Sequence, residues 1–236
     1  MNPTFSSITL IALVSLVTPL PLHAQQLAPG LTFHQKPKPL PAGATTEDWP
    51  RFLGPDDDAT SGETKLLHTW PETGPALLWE LAKGDDYTSP SILGDHLVHF
   101  TRSGGHEVIT CLHPETGQLH WTQKYPVDYR DRYGFNPGPR ASPVIDAGTG
   151  RVYTFGVTAQ LQCFDLKTGN RIWKKDLLAD YDIPTYFFGS GPCPVIHGDL
   201  IIQNVGGRHP TDATQNPCVV AFDKNTGEQR WVHRDT

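Results

Sequence analysis

The feature that most constrains this chain is a short pattern, Thr-Gly followed four residues after the glycine by Trp, which occurs three times. The copies end at Trp121, Trp173 and Trp231. An apolar residue precedes the Thr-Gly pair, and glycine readily adopts the positive φ that a tight turn requires. Each copy therefore predicts a β-hairpin, and a repeat of this size indicates the architecture before any local assignment does.

A second landmark precedes each hairpin, a proline followed two residues later by isoleucine. Its copies begin at Pro90, Pro143 and Pro194, and each leads into a turn and an apolar run. The unit thus contains four antiparallel strands, which is the blade of a β-propeller. We predict an all-β propeller with about three blades, over 88–124, 141–176 and 192–234. A solenoid of β-strands is the alternative, although it would favour shorter and more regular periods.

The repeated tryptophans and glycines suit contacts between blades. An indole can bury about 150–250 Å² of surface, which stabilises a packed interface. We therefore expect these residues to dock each blade onto its neighbour. The predicted docking residues are Gly117, Trp121, Gly169, Trp173, Gly227 and Trp231.

Insertions lengthen the repeat at 124–140 and 174–191, between blades, and at 206–217, inside the last unit. The first two join the outer strand of one blade to the inner strand of the next, so we expect them on the same face. They are rich in aromatic residues and arginine, the types enriched at recognition sites. The alternative is that these side chains pack the loops onto the blade ends. The predicted contact residues are Tyr129, Arg130, Arg132, Tyr133, Arg140, Tyr186, Phe187 and Phe188, with Phe135 in the same loop.

The third hairpin, residues 221–231, reads Ala-x-Asp-x-x-Thr-Gly-x-x-x-Trp. The second copy has Cys163 for the alanine, and the first has Cys111 for the alanine and His113 for the aspartate, which removes a carboxylate from its turn. This pattern resembles the tryptophan-docking motif of the PQQ-like (pyrroloquinoline-quinone-like) propeller repeat family of secreted bacterial proteins. Segments 48–55 and 133–143 are also similar to that family. The resemblance implies that 48–236 is a partial propeller, an N-terminal fragment.

Two family activities follow from the resemblance as expectations. Quinoprotein dehydrogenases of this family hold PQQ over a calcium ion, beside a disulfide between adjacent cysteines, and this chain has no adjacent cysteines. Another relative is a propeller subunit that assists outer-membrane protein assembly. We predict no catalytic residue, metal site or cofactor, and keep PQQ with calcium as the alternative. Oxygen donors for such a calcium could come from Asp131, Asn136, Asp180, Asp182 and Asn204, although their spacing selects none of them.

The N-terminus predicts export. Residues 8–20 form an apolar run of signal-peptide length, and Ala24 ends a plausible cleavage site. We therefore predict a signal peptide at 1–24 and a periplasmic or secreted protein without a transmembrane anchor. An uncleaved anchor is the alternative, and with no cysteine near the site we expect no lipid anchor. Residues 25–47, rich in proline, glycine and alanine, predict a flexible arm.

Charge and cysteines limit the possible partners. The formal net charge is −6 and no basic cluster is present, which argues against nucleic acid. Cys111 and Cys163 stand where the third repeat has alanine, so we expect them to be buried. The sequence leaves undecided whether Cys193 and Cys218 form a disulfide. The expected function is a non-catalytic scaffold for an envelope protein or a small ligand, with a PQQ-dependent oxidoreductase as the alternative.

Overall fold

Three four-stranded antiparallel sheets follow one another along the chain in the computed structural model, which describes residues 27–184 and 188–235. Each sheet is a simple meander, in which every strand pairs with the next strand in the sequence. The fold is therefore the all-β arrangement of propeller blades that the repeat predicted. The predicted signal peptide at 1–24 lies outside the described residues, as do Tyr186 and Phe187.

The strands are short, as blade strands usually are. A two-stranded pair comes first, β1 (Leu31–Phe33) with β2 (Trp79–Leu81). Blade 1 contains β3 (Ser91–Leu93), β4 (His96–Ser103), β5 (His106–Leu112) and β6 (Leu119–Pro126). Blade 2 contains β7 (Val144–Asp146), β8 (Arg151–Phe155), β9 (Gln160–Asp165) and β10 (Arg171–Asp176). Blade 3 contains β11 (Val195–His197), β12 (Leu200–Asn204), β13 (Pro217–Asp223) and β14 (Gln229–Arg234).

Helical structure is confined to connections. Helix α1 (Leu177–Tyr181) follows β10, and a 3₁₀ helix at Ala213–Gln215 precedes β13. No helix among the described residues is long and apolar enough to cross a membrane. Part of the segment expected to be an arm is paired, because its residues Leu31–Phe33 form β1 against β2. This pairing is long-range, so composition alone did not indicate it.

The apolar cores lie between consecutive blades. Val98 and Ile109 of blade 1 pack with Val152 and Phe164 of blade 2 in one core. A second core joins blades 2 and 3. Cys111 and Cys163 are fully buried in these cores, as the repeat predicted, and they act there as small apolar residues. All four cysteines are free, so the disulfide left open between Cys193 and Cys218 is not formed.

Each contact between successive blades, called a seam below, uses the same hydrogen bond. At the first seam Trp79 of β2 donates its indole N–H to the carbonyl of Pro114 at 2.9 Å. At the second seam Trp121 donates to Leu166 at 2.7 Å, and at the third Trp173 donates to a carbonyl of blade 3 at 3.0 Å. The three acceptors occupy the same position in the three Thr-Gly turns. Strand β2 therefore stands where the outer strand of a preceding blade would stand.

The glycines of the second and third Thr-Gly turns make room for the docked indoles, whereas a Cβ added at Gly117 of the first turn would meet the side chain of Leu31. Gly169 has a φ of 73°, and a Cβ added there would lie 2.5 Å from Cδ2 of Trp121. Gly227 has a φ of 72° and lies against Trp173 in the same way. Any other residue would meet both a backbone penalty and a collision. At the end of the described chain, Trp231 is 40% exposed.

Candidate recognition surface

The long insertions extend from one end of the blades, called the loop face below. In a four-stranded meander, the connection between blades and the turn between the second and third strands lie at the same end. Contacts agree with this, since the amide of Arg208, after β12, donates to the carbonyl of Tyr181 at 3.0 Å. The two insertions between blades also meet, because a Cβ added at Gly189 would lie 3.3 Å from the ring of Tyr129. The Thr-Gly turns lie at the opposite end, called the turn face.

Arg102 of β4 holds the connection between β6 and β7. Its guanidinium donates to the carbonyls of Tyr129 at 2.7 Å, Pro137 at 2.9 Å and Val127 at 3.3 Å. Guanidinium offers five donors in a fixed plane, so one side chain can satisfy several carbonyls that lack a strand partner. The loop is thereby tied at both its beginning and its end to a rigid strand.

A buried ion pair organises the tip of the same loop. Asp131 accepts hydrogen bonds from the amides of Tyr133 at 3.0 Å and Phe135 at 3.1 Å. Its other oxygen lies 3.2 Å from Nη2 of Arg140, which also donates to the carbonyls of Asn136, at 2.7 Å, and Gly138. Further hydrogen bonds support this buried pair, because Asp131 accepts from two backbone amides and the guanidinium donates to two carbonyls. The loop conformation is therefore fixed before any ligand arrives.

Several aromatic rings in and around this loop are exposed to solvent. The exposed fractions are 57% for Tyr87, 60% for Tyr133, 71% for Phe135 and 56% for Phe188. The rings of Tyr133 and Phe135 lie 6.3 Å apart. Arg130 and Arg132 are also exposed in the same loop. We call this set the aromatic surface, and its members are Tyr87, Arg130, Arg132, Tyr133, Phe135 and Phe188.

Two of the predicted contact residues lie beneath this surface. The guanidinium carbon of Arg140 lies 5.3 Å from the ring centre of Tyr87 and 5.5 Å from that of Tyr129. Tyr129 is half-buried, and burial raises the pKa of its phenol. Sequence reasoning did not find Tyr87 or Arg102. Tyr87 precedes β3 and Arg102 lies in β4, and no local pattern links them to this loop, whose contacts with Arg102 span 25–35 residues of sequence.

A buried carboxyl group ties blade 1 to the loop face of blade 2. Oε1 of Glu107 accepts a hydrogen bond from the amide of Val157 at 2.8 Å. Its Oε2 and the hydroxyl of Tyr125 face Gly156, where an added Cβ would collide with both. Burial raises the pKa of Glu107, and burial also raises the pKa of Tyr125, with the neighbouring carboxylate adding to it.

Three of the oxygen donors considered for calcium have structural roles. Asp131 and Asn136 hold the loop, and Asp182 caps helix α1 through its backbone in a left-handed conformation. Within 27–184 and 188–235, no three His, Cys, Asp or Glu side chains come together as metal ligands.

Comparisons with known proteins agree with this architecture. The family model described as outer membrane protein assembly factor BamB matches residues 105–236, more than half of the chain. The quinohemoprotein alcohol dehydrogenase ADH-IIG of Pseudomonas putida is 29% identical over 130 residues, which cover 55% of this chain. The chain spans only 17% of the length of that relative.

Two solved structures match part of this chain. BamB from Moraxella catarrhalis is 19% identical, with 69% of this chain and 44% of that chain covered and a TM-score of 0.45. A europium-containing methanol dehydrogenase is 15% identical, with 65% and 25% covered and a TM-score of 0.46. With three antiparallel four-stranded blades, three copies of the docking hairpin and the family match over 105–236, this chain belongs to the PQQ-like β-propeller repeat family.

Proposed function

We propose that this chain is part of a non-catalytic propeller scaffold of the bacterial cell envelope, which binds a protein or a small ligand through the aromatic surface. The observation that carries the proposal is a loop fixed by two guanidinium groups that presents exposed aromatic rings. Exposed apolar patches that are rimmed by polar residues are typical of interaction sites. A preordered loop also lowers the entropy cost of binding.

The proposed location is the periplasm or the outside of the cell. It is supported by the apolar run near the N-terminus and by the family description, which names outer-membrane protein assembly. A partner would then be a cell-envelope protein or a small ligand found there. An open cleft of about 430 Å³ beside the aromatic surface, lined by Arg130, Asp131, Arg132, Tyr133 and Gly134, could accept a side chain of such a partner.

Site-specific photo-crosslinking tests this proposal. A photoreactive phenylalanine analogue would replace Phe135 in the full chain, exported in a bacterial host. The matched control would carry the analogue at Lys167, which is exposed on the turn face. We expect a discrete adduct from position 135 that disappears when Tyr133 is changed to alanine. Equal adducts at both positions, or none at position 135, would contradict a recognition role for the loop face.

The alternative function is a PQQ-dependent oxidoreductase, and the similarity to ADH-IIG favours it. Equilibrium dialysis against PQQ with calcium distinguishes the two. The scaffold proposal predicts no retained quinone absorbance. Quinone retained at one equivalent per chain would support the oxidoreductase instead.

A further inference from the structure

The three Thr-Gly turns have the same backbone hydrogen bond, but the side chain that caps the turn is a histidine in the first turn and an aspartate in the other two. In each turn the first residue and the glycine are joined by a carbonyl-to-amide hydrogen bond of 2.8–2.9 Å. That first residue is His113 in blade 1, Asp165 in blade 2 and Asp223 in blade 3. The next residue of each turn supplies the carbonyl that accepts an indole. The capping residue therefore lies directly beside the docking contact.

The two aspartates cap their turns with carboxylates. Oδ1 of Asp165 accepts from the hydroxyl of Thr168 at 2.7 Å and from its amide at 2.8 Å, and these hydrogen bonds lower the pKa of Asp165. Asp223 accepts from the amide of Thr226 at 2.9 Å and pairs with Arg230 at 2.6 Å. Arg230 lowers the pKa of Asp223 to about 2. Both caps therefore remain ionised at mildly acidic pH.

His113 caps its turn through a ring nitrogen. Its Nδ1 accepts a hydrogen bond from the amide of Glu115 at 3.2 Å. An imidazole nitrogen accepts only while it carries no proton. Protonation of the ring therefore removes this cap, whereas the carboxylate caps survive the same change.

Two further imidazoles lie next to this cap. The ring centre of His120 lies 6.3 Å from that of His113 and 4.8 Å from that of His96, with which it stacks. The third copy has Arg230 at the position of His120 and Asp223 at the position of His113. Blade 1 thus carries two histidines where blade 3 carries an aspartate–arginine pair.

Few opposite charges are available to this cluster. The carboxylate of Asp95 lies 2.6 Å from Nδ1 of His96, and its carbonyl oxygen lies 2.8 Å from Nε2 of His120. The carboxylate of Glu115 is in the turn itself and exposed. The buried thiol of Cys111, under the turn, is neutral because burial, aided by Asp95, raises its pKa to about 12. Two carboxylates cannot balance three imidazolium rings. On the strands docked against this turn, the imidazole of His34 lies 3.1 Å from the carboxylate of Glu80.

We propose that the His113 turn is an acid-sensitive latch, whose protonation loosens the Trp79 indole and the β1–β2 pair from blade 1 while the second and third seams hold. Histidine is the side chain that changes charge between about pH 5 and pH 8. A protonated Nδ1 cannot accept the amide hydrogen of Glu115, so acid removes this cap and weakens docking. The inference is independent of what the loop face binds.

Amide hydrogen exchange of the full chain tests the latch. Protection factors, which correct for the intrinsic effect of pH, would be measured at about pH 7.5 and about pH 5.5. The probe of the first seam is the amide of His34, which donates to Leu78 within the β1–β2 pair. The probe of the second seam is the amide of Asp165. We expect protection at His34 to fall about tenfold in acid and protection at Asp165 to stay within about twofold.

Two variants identify the group responsible. His113→Asp with His120→Arg restores the pair found in the third copy, and we expect it to abolish the acid response at His34. His113→Asp alone serves the same purpose if the double variant is not folded at neutral pH by circular dichroism. An equal loss of protection at both seams, or an acid response that survives these changes, would overturn the proposal.

Discussion

The turn face and the loop face are stabilised by different kinds of contact. On the turn face the same contact recurs three times, an indole N–H on a turn carbonyl. On the loop face Arg102 and the pair of Asp131 with Arg140 hold the first insertion through contacts specific to that loop. The repeated positions therefore hold the blades together, whereas the insertions can acquire a binding role.

Of the changes proposed here, truncating a docking indole should lower the free energy of unfolding most. Trp121 is buried at the second seam, so we expect Trp121→Ala to lower the free energy of unfolding by about 3–5 kcal/mol. Chemical denaturation measures this directly. The matched variant is Trp231→Ala, at an exposed indole, with an expected loss below about 1 kcal/mol. Similar losses for both would mean that the seams do not depend on docking.

Replacing Gly169, the glycine that contacts Trp121, should have the second largest effect on the free energy of unfolding. We expect Gly169→Ala to cost about 2–3 kcal/mol, because it combines a left-handed φ with a collision against Trp121. Gly150→Ala is the control, since Gly150 also has a positive φ but nothing lies within 4 Å of its added Cβ. It should lose only the backbone share, about 1–2 kcal/mol. Equal costs would remove the steric part of the explanation.

A smaller effect is expected from the carboxyl group between blades 1 and 2. Burial raises the pKa of Glu107, so its folded form holds a proton more tightly than its unfolded form. Its contribution to stability is then complete below the unfolded pKa and is lost as the pH rises through the folded pKa. Glu107→Gln keeps the acceptor for Val157 and should flatten this part of the pH–stability curve. Glu228→Gln, at an exposed site, should leave the curve unchanged.

The smallest effect on stability should come from the aromatic surface. Phe135→Ala removes an exposed ring, so we expect the melting temperature to stay unchanged and the free energy of unfolding to move by less than about 0.5 kcal/mol. Crosslinking or binding at the loop face should be lost. A clear drop in melting temperature would place Phe135 in the structural framework together with Arg140.

The repeat made the turn face predictable. Gly169 and Trp173 could be assigned from the sequence because each unit carries its own copy of the turn. The loop face could be predicted only in part. Residue types indicated a contact surface, but the sequence does not show that Arg140 stacks between Tyr87 and Tyr129, since that contact joins three separate segments.

The contacts of His113 in the first Thr-Gly turn also could not be predicted from the sequence. The sequence predicts that His113 removes a carboxylate from its turn, and the structure adds that the imidazole caps the turn through Nδ1 instead. The histidines looked dispersed in the sequence. Strand pairing brings His96 and His120 together from β4 and β6, at a sequence separation that no local pattern reports.

The most direct test of the docking arrangement is indole N–H exchange, followed for each tryptophan by NMR after assignment. We predict slow exchange for Trp79, Trp121 and Trp173, each of which donates to a turn carbonyl. We predict fast exchange for Trp231, which is exposed. Exchange of Trp121 as fast as that of Trp231 would contradict the account, because the seams would then lack the contact that defines them.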